Sequence, residues 1–323
     1  MSTSINRPAQ DVLPGPVRDL VGYGSLVPQV TWPHQANVAV NIVVNYEEGS
    51  EYSYAMGDRE NDILGDSAYR FPPEVRDLAQ ESMYEYGSRV GVWRLLRLFD
   101  EYDIPCTFFG CAVAFEANPV VARVASARGH DLVSHGWRWE EHWRLSEEEE
   151  RRHIALAVQS FERTWGKRPV GWYCRYGPSV NTRRLVVEEG GFQFDCDAYN
   201  DDLPYFTAVG ETQHLVVPYS QTYNDSQGSK NPTEFLDYIK RAFDELWLEG
   251  ERGTPKMMSV GLHPRLVGQA ARVSALREFL EHAQSRGKVW FARRGDIAQW
   301  WLAHHQDFPL VDGSRYGHAH LDG

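Results

Sequence analysis

From residue 36 onward, short runs of β-branched and apolar residues alternate with longer stretches in which apolar positions recur every three or four residues. The short runs read as strands and the longer stretches as helices with one buried face. Strands are expected at 38–46, 104–110, 131–135, 170–175, 192–197, 214–219, 257–263 and 289–292. In 91–102 the apolar residues fall at Val92, Leu95, Leu96 and Phe99, which is the spacing of one helix face. Further helices are expected over 146–165, 181–190, 232–248 and 272–286, and Ser146 with Glu149 gives the first of these a capping box. Eight strands with intervening helices predict an α/β protein, an irregular (β/α) barrel occupying a single domain over 36–302.

Three segments fall outside that alternation. Residues 1–35, with Pro8, Pro14, Pro16, Pro28 and Pro33, read as an irregular arm lying over the body or a neighbouring subunit. Residues 303–323, with His304, His305, His318 and His320, read as a polar tail of solvated histidines. The stretch 49–87, which holds Asp58, Arg59, Glu60, Asp62, Glu81, Tyr84, Glu85 and Tyr86, is long for a connection inside a compact domain. It is expected to cover a site or make a subunit contact.

Composition narrows the function. The 323 residues carry 33 basic and 45 acidic side chains, a net charge of −12, which argues against nucleic acid and anionic membrane as partners. No window approaches the ~18 consecutive apolar residues of a membrane span. The polar, proline-broken start shows no secretory pattern, so a cytoplasmic protein is expected. Cys106, Cys111, Cys174 and Cys196 lie in apolar, strand-like segments without Cys-x-x-Cys spacing and read as reduced packing residues.

Candidate chemistry collects where the strands end. The first strand closes on Glu47-Glu48-Gly49, two adjacent acids whose mutual repulsion is most easily tolerated when one of them has a task. The third gives Ser134-His135-Gly136-Trp137-Arg138-Trp139 and the fourth Cys174-Arg175-Tyr176-Gly177-Pro178-Ser179. The fifth gives Asp195-Cys196-Asp197 and the seventh Gly261-Leu262-His263-Pro264. In a barrel these ends converge on one rim.

The order and spacing of these groups resemble the polysaccharide-deacetylase (NodB-homology) superfamily, and more closely its branch of metal-independent allantoinases, over roughly residues 18–302. The superfamily opens on Asp-Asp-Gly, matched here by Glu47-Glu48-Gly49, with the first acid a base and the second a metal ligand. It continues with a His-x-x-x-His metal pair, of which His135 is present and Trp139 replaces the second histidine. An Arg-x-Pro-type loop is matched by Arg175-Tyr176-Gly177-Pro178 with one extra residue. A Leu-His pair oriented by an aspartate is matched by Leu262-His263 with Asp195 or Asp197. The allantoinase branch is resembled in Val21-Gly22-Tyr23-Gly24, Asn45-Tyr46-Glu47-Glu48-Gly49, Glu85-Tyr86-Gly87-Ser88-Arg89, Asn181-Thr182-Arg183-Arg184 and Asp201-Asp202-Leu203-Pro204-Tyr205. The loop 174–180 is longer than in the best-known members.

The resemblance implies a hydrolase that opens the hydantoin ring of allantoin to allantoate in purine breakdown. Glu47 would take the proton from water, held in orientation by Arg175. Backbone N–H groups at Tyr176-Gly177 would face the oxyanion, and His263, oriented by Asp195 or Asp197, would protonate the leaving nitrogen. Glu48 and His135 would hydrogen-bond the substrate, with Trp139 as an apolar wall. Zinc hydrolases need at least three protein ligands, and an indole N–H only donates. Glu48 and His135 alone hold zinc poorly, so no cofactor is expected and zinc is the weaker alternative. The partner expected is a small neutral cyclic amide, and the related allantoinases imply a homo-oligomer, with a tetramer favoured. The competing readings are a hydrolase of another cyclic imide or hydantoin, a metal-dependent carbohydrate or peptidoglycan N-deacetylase, and a binding barrel without turnover. Retention of both Glu47 and His263 disfavours the last.

Overall fold

The structure is a computed structural model that describes residues 15–67, 69–226 and 231–314. Pro8 and Pro14 of the arm and His318 and His320 of the tail lie outside the described residues. Among the described residues eleven strands follow in chain order: β1 Leu26–Pro28, β2 Val38–Tyr46, β3 Cys106–Gly110, β4 Asp131–Ser134, β5 Gly171–Trp172, β6 Phe194–Asp195, β7 Tyr205–Val209, β8 Thr212–Val216, β9 Lys256–Leu262, β10 Val289–Phe291 and β11 Leu310–Asp312.

Nine of the eleven strands form one curled sheet. The path runs β10-β2-β3-β4-β5-β6-β8-β7, and β9 pairs along the other edge of β2. Every pairing is parallel except the β7–β8 hairpin. Between β8 and β9 the described residues join the sheet through an isolated bridge of Asn224 to Gly261, so the barrel closes imperfectly. The irregular (β/α) barrel anticipated from the alternation is the observed fold. Each of the eight anticipated strands is found, most of them trimmed by a few residues. The hairpin strand β7 and the small β1–β11 ribbon were not anticipated. The ribbon means that the segment read as a polar tail pairs back onto the arm, through Leu310–Asp312 against Leu26–Pro28. No described helix is long and apolar enough to cross a membrane.

Strand parity organises the core. Alternate residues of a strand point to opposite faces. In β2 the even positions Val38, Val40, Ile42, Val44 and Tyr46 pack outward in the cluster shared with the helices, while Ala39 and Val43 belong to the inner cluster. All nine residues of β2 are buried, as expected for a parallel strand covered on both faces. The same division sends Phe109 of β3, Val133 of β4 and Phe194 of β6 inward. At the amino end of the strands the interior is filled by Trp32 and Trp301, whose ring centroids lie 6.3 Å apart. At the carboxyl end it opens beneath the segment 49–87, most of which is irregular before the helix Leu78–Tyr86.

Candidate active site

Parity carries past the strand ends and decides which polar groups meet. Continuing the inward positions of β2, β4 and β9 gives Glu47, His135 and His263, and these three do converge. His135 Nε2 lies 3.2 Å from Glu47 Oε1, and His263 Nε2 lies 3.5 Å from the same oxygen. They line a cavity of about 70 Å³ together with Asn45, Leu64, Trp139, Tyr173, Tyr176, Gln221, Asn224, Ser226 and Arg265. Leu64 comes from the segment 49–87, which therefore does cover the site.

Glu47 is wholly buried, and burial alone would raise its pKa. Arg265, with Nη1 2.7 Å from Oε2, and His263 outweigh that cost and hold the carboxyl well below the usual range, so it is ionised. His263 is the complementary case. Burial opposes its charge, but Glu47 and Asp225 raise its pKa to about 9. Its Nδ1 donates to Asp225 Oδ1 at 2.6 Å and its backbone N–H to Oδ2 at 2.8 Å, which leaves Nε2 turned toward Glu47. His135 presents Nδ1 to the Tyr173 carbonyl at 3.3 Å and stacks on the Tyr173 ring.

Four of the anticipated assignments differ from this geometry. The partner of His263 is Asp225, not Asp195 or Asp197. Phe194 and Cys196 point inward, so the flanking acids turn outward to the helix Thr182–Glu189. There Asp195 pairs with Arg183, with Nε to Oδ2 at 2.7 Å and Nη2 to Oδ1 at 3.0 Å. Asp197 accepts from Cys174 N–H at 2.9 Å. Glu47 is held by Arg265, not Arg175, whose Nη1 is committed to Asp62 at 2.6 Å and to the Trp139 carbonyl at 2.9 Å.

The third difference concerns the oxyanion donors. The Gly177 N–H is spent on the Arg175 carbonyl, while Tyr176 lines the cavity. The fourth is Glu48, one residue out of phase with Glu47, which faces a separate hollow with Glu51, Tyr84 and Ser88. Its oxygens accept from the backbone N–H of Glu47 at 3.0 Å and of Arg265 at 3.2 Å. Burial and the neighbouring Glu47 push its pKa up to about 7, against the pull of Arg265. Arg265 and Asp225 were missed in the sequence. Arg265 follows His263 by two residues in the turn after β9, and that nearness was the available signal.

The residues present do not fit a catalytic metal. Glu48 faces away, Trp139 offers only a donor, and Arg265 sets a guanidinium charge against the carboxylate a cation would need. Among the described residues no group of three or more His, Cys, Asp or Glu side chains could hold a metal ion. Trp139 is instead flanked by two cations, with the Arg175 and Arg265 guanidinium carbons 3.7 and 5.0 Å from its ring centroid.

A curled, mainly parallel barrel thus carries a buried carboxylate, two histidines and an arginine at its carboxyl rim. The polysaccharide deacetylase family model matches residues 80–194. A Schizosaccharomyces pombe protein with a provisional polysaccharide-deacetylase name is 38% identical over 313 residues, covering 89% of this chain and 98% of its own. The chain belongs to the polysaccharide deacetylase family. Two crystal structures superpose with a TM-score of 0.85 over 89% of this chain and 98% of theirs. One, from Pseudomonas aeruginosa PAO1, is 47% identical and also bears a provisional deacetylase name; the other, 46% identical, is the Puue allantoinase.

Proposed function

We propose that the protein opens the hydantoin ring of allantoin to allantoate, in the breakdown of purines, by acid–base chemistry without a metal. The observation that carries this reading is the pairing of an ionised Glu47 with a protonated His263 at 3.5 Å, beside Arg265. An enzyme without a Lewis acid needs an electrophilic carbonyl and a good leaving group. A hydantoin supplies both, because the departing nitrogen is stabilised by a second carbonyl, whereas an N-acetyl sugar amide supplies neither. Size points the same way. A cavity of about 70 Å³ lined by Leu64 accommodates a compact single-ring molecule. The 46% identity to the Puue allantoinase supports the same substrate class.

In this mechanism Glu47 removes one proton from water as its oxygen bonds to the ring carbonyl carbon. The oxyanion collapses, the carbon–nitrogen bond breaks, and His263 Nε2 gives its proton to the leaving nitrogen. The new carboxylic acid releases its proton to solvent. The proton on Glu47 returns to His263, so one water is consumed and both groups are reset. Asp225 keeps Nδ1 engaged, so that Nε2 is the nitrogen that exchanges protons.

The test is a hydrolysis panel of racemic allantoin, hydantoin, succinimide and an N-acetylglucosamine oligomer, each with and without chelator. Chelator-resistant opening of allantoin supports the reading. Preference for hydantoin or succinimide moves the substrate within the cyclic amides. Chelator-sensitive release of acetate from the oligomer favours the deacetylase that two of the relatives' names suggest.

A further inference from the structure

Arg265 and Glu48 are tied together beside Glu47, the arginine through its guanidinium to Glu47 and Glu48 through the peptide N–H groups of both residues. Arg265 lies in the turn that follows β9, three residues past Leu262, which pairs with Val44, and its Nη1 reaches Glu47 from there. The guanidinium is buried between the Tyr84 and Trp139 rings, at 4.4 and 5.0 Å from their centroids. Nη1 donates to Glu47 and Nε to the Leu64 carbonyl at 3.3 Å, while Nη2 donates to no protein atom among the described residues. The residue lines the same cavity as the base. Behind it, a single Glu48 carboxylate accepts from the peptide N–H groups of both Glu47 and Arg265. Gly87, which opens a π-helical turn over Gly87–Gly91, lets that carboxylate in, because a Cβ there would collide with Glu48 Oε1 and the Arg265 nitrogen.

We infer that Arg265 is a catalytic residue whose guanidinium meets the developing oxyanion with the positive charge a metal would otherwise bring to this fold, and that Glu48 is the positioning residue that fixes it beside Glu47. A preorganised cation in a site shielded from water stabilises charge that develops in the transition state without reorganising. The parity that removes Glu48 from the cavity is what lets it tie two reacting residues together through their backbone. This inference rests on the ring-opening reading.

The experiment compares Arg265→Ala, Arg265→Lys and Glu48→Gln in the full-length protein on allantoin, with guanidinium chloride or sodium chloride at equal, low ionic strength. Arg265→Ala should lose ~10²–10³ in kcat, the usual cost of one oxyanion donor, and regain at least ~10-fold with guanidinium but not with sodium. Arg265→Lys should stay impaired, because a compact ammonium does not reproduce the planar fork. Glu48→Gln should lower kcat by about tenfold at nearly constant KM, with no rescue, since the arginine still fills its place. Arg265→Ala or Arg265→Lys within about threefold of wild type, or equal recovery in both salts, overturns the catalytic assignment. Glu48→Gln that raises KM at constant kcat overturns the positioning role. If Arg265→Ala does not fold, the lysine and glutamine variants decide. Wild type that opens no allantoin overturns the substrate reading instead, and the same variants are then read on the panel compound it does hydrolyse.

Discussion

Glu47 and His263 stand 3.5 Å apart at the carboxyl ends of adjacent parallel strands, the one held anionic and the other cationic. Each stabilises the charge of the other. The pair therefore starts in the protonation states that a general base and a general acid require.

The alkaline limb of the rate profile should report His263. Its pKa is raised from 6.5 to about 9 by Glu47 and Asp225, so kcat should fall as pH rises through about 9, where the donor proton is lost. Glu47 lies well below 4.5, so the acid limb should fall below that value. Asp225→Asn removes one of the two carboxylates that hold the proton and should move the alkaline limb to lower pH, with a loss in kcat. A limb unmoved by that change would detach Asp225 from the acid.

Asp195 should behave as a structural acid. Its loss as Asp195→Asn leaves Arg183 facing a neutral amide and should cost stability at the low end of the ~3–5 kcal/mol seen when one partner of a buried pair is removed. Urea unfolding should register that loss, while the alkaline limb stays in place. A shifted limb with unchanged stability would return Asp195 to the site.

Much of this was legible along the chain, and what was not has a geometric cause. Val38–Tyr46 stands out because a parallel strand buried on both faces reads as one apolar run. Glu47, His135 and His263 could be selected because each follows a strand whose end lies on the rim. The assignments that failed, Glu48 and Asp195 with Asp197, are odd–even errors: each lies one residue out of phase with an inward position, and a period of two sends it to the other face. Asp225 was illegible because it sits in the link between β8 and the helix Pro232–Glu251, next to the isolated Asn224–Gly261 bridge, where no strand periodicity marks it. Arg175 was misplaced because its partner Asp62 comes from 49–87, whose path over the rim no periodicity predicts.

Trp139→His tests the parity argument from the metal side. It supplies the nitrogen that a three-ligand set would call for, yet Glu48 still faces the other hollow and Arg265 still occupies the carboxylate of Glu47. The variant should retain far less than stoichiometric zinc after gel filtration. Stoichiometric zinc would mean that Glu48 can turn inward.

Assembly is a separate expectation. Val17, Leu20 and Val21 in the arm are 96%, 81% and 76% exposed, a concentration of apolar surface that a second copy would cover. A homo-oligomer, with a tetramer favoured, is expected by light scattering at micromolar concentration, and charged residues at these three positions should dissociate it. A strictly monomeric wild type would contradict this.

The central claim is that Glu47 and His263 open a cyclic amide without a metal. It is tested most directly by steady-state turnover of allantoin with chelator-treated, metal-analysed protein, wild type beside Glu47→Gln. Wild type should keep its full rate at substoichiometric metal, while Glu47→Gln, isosteric but unable to accept the proton, should lose at least ~100-fold in kcat with binding retained. Loss of wild-type activity on chelation with recovery on added zinc, or a Glu47→Gln variant that turns over normally, would contradict the account.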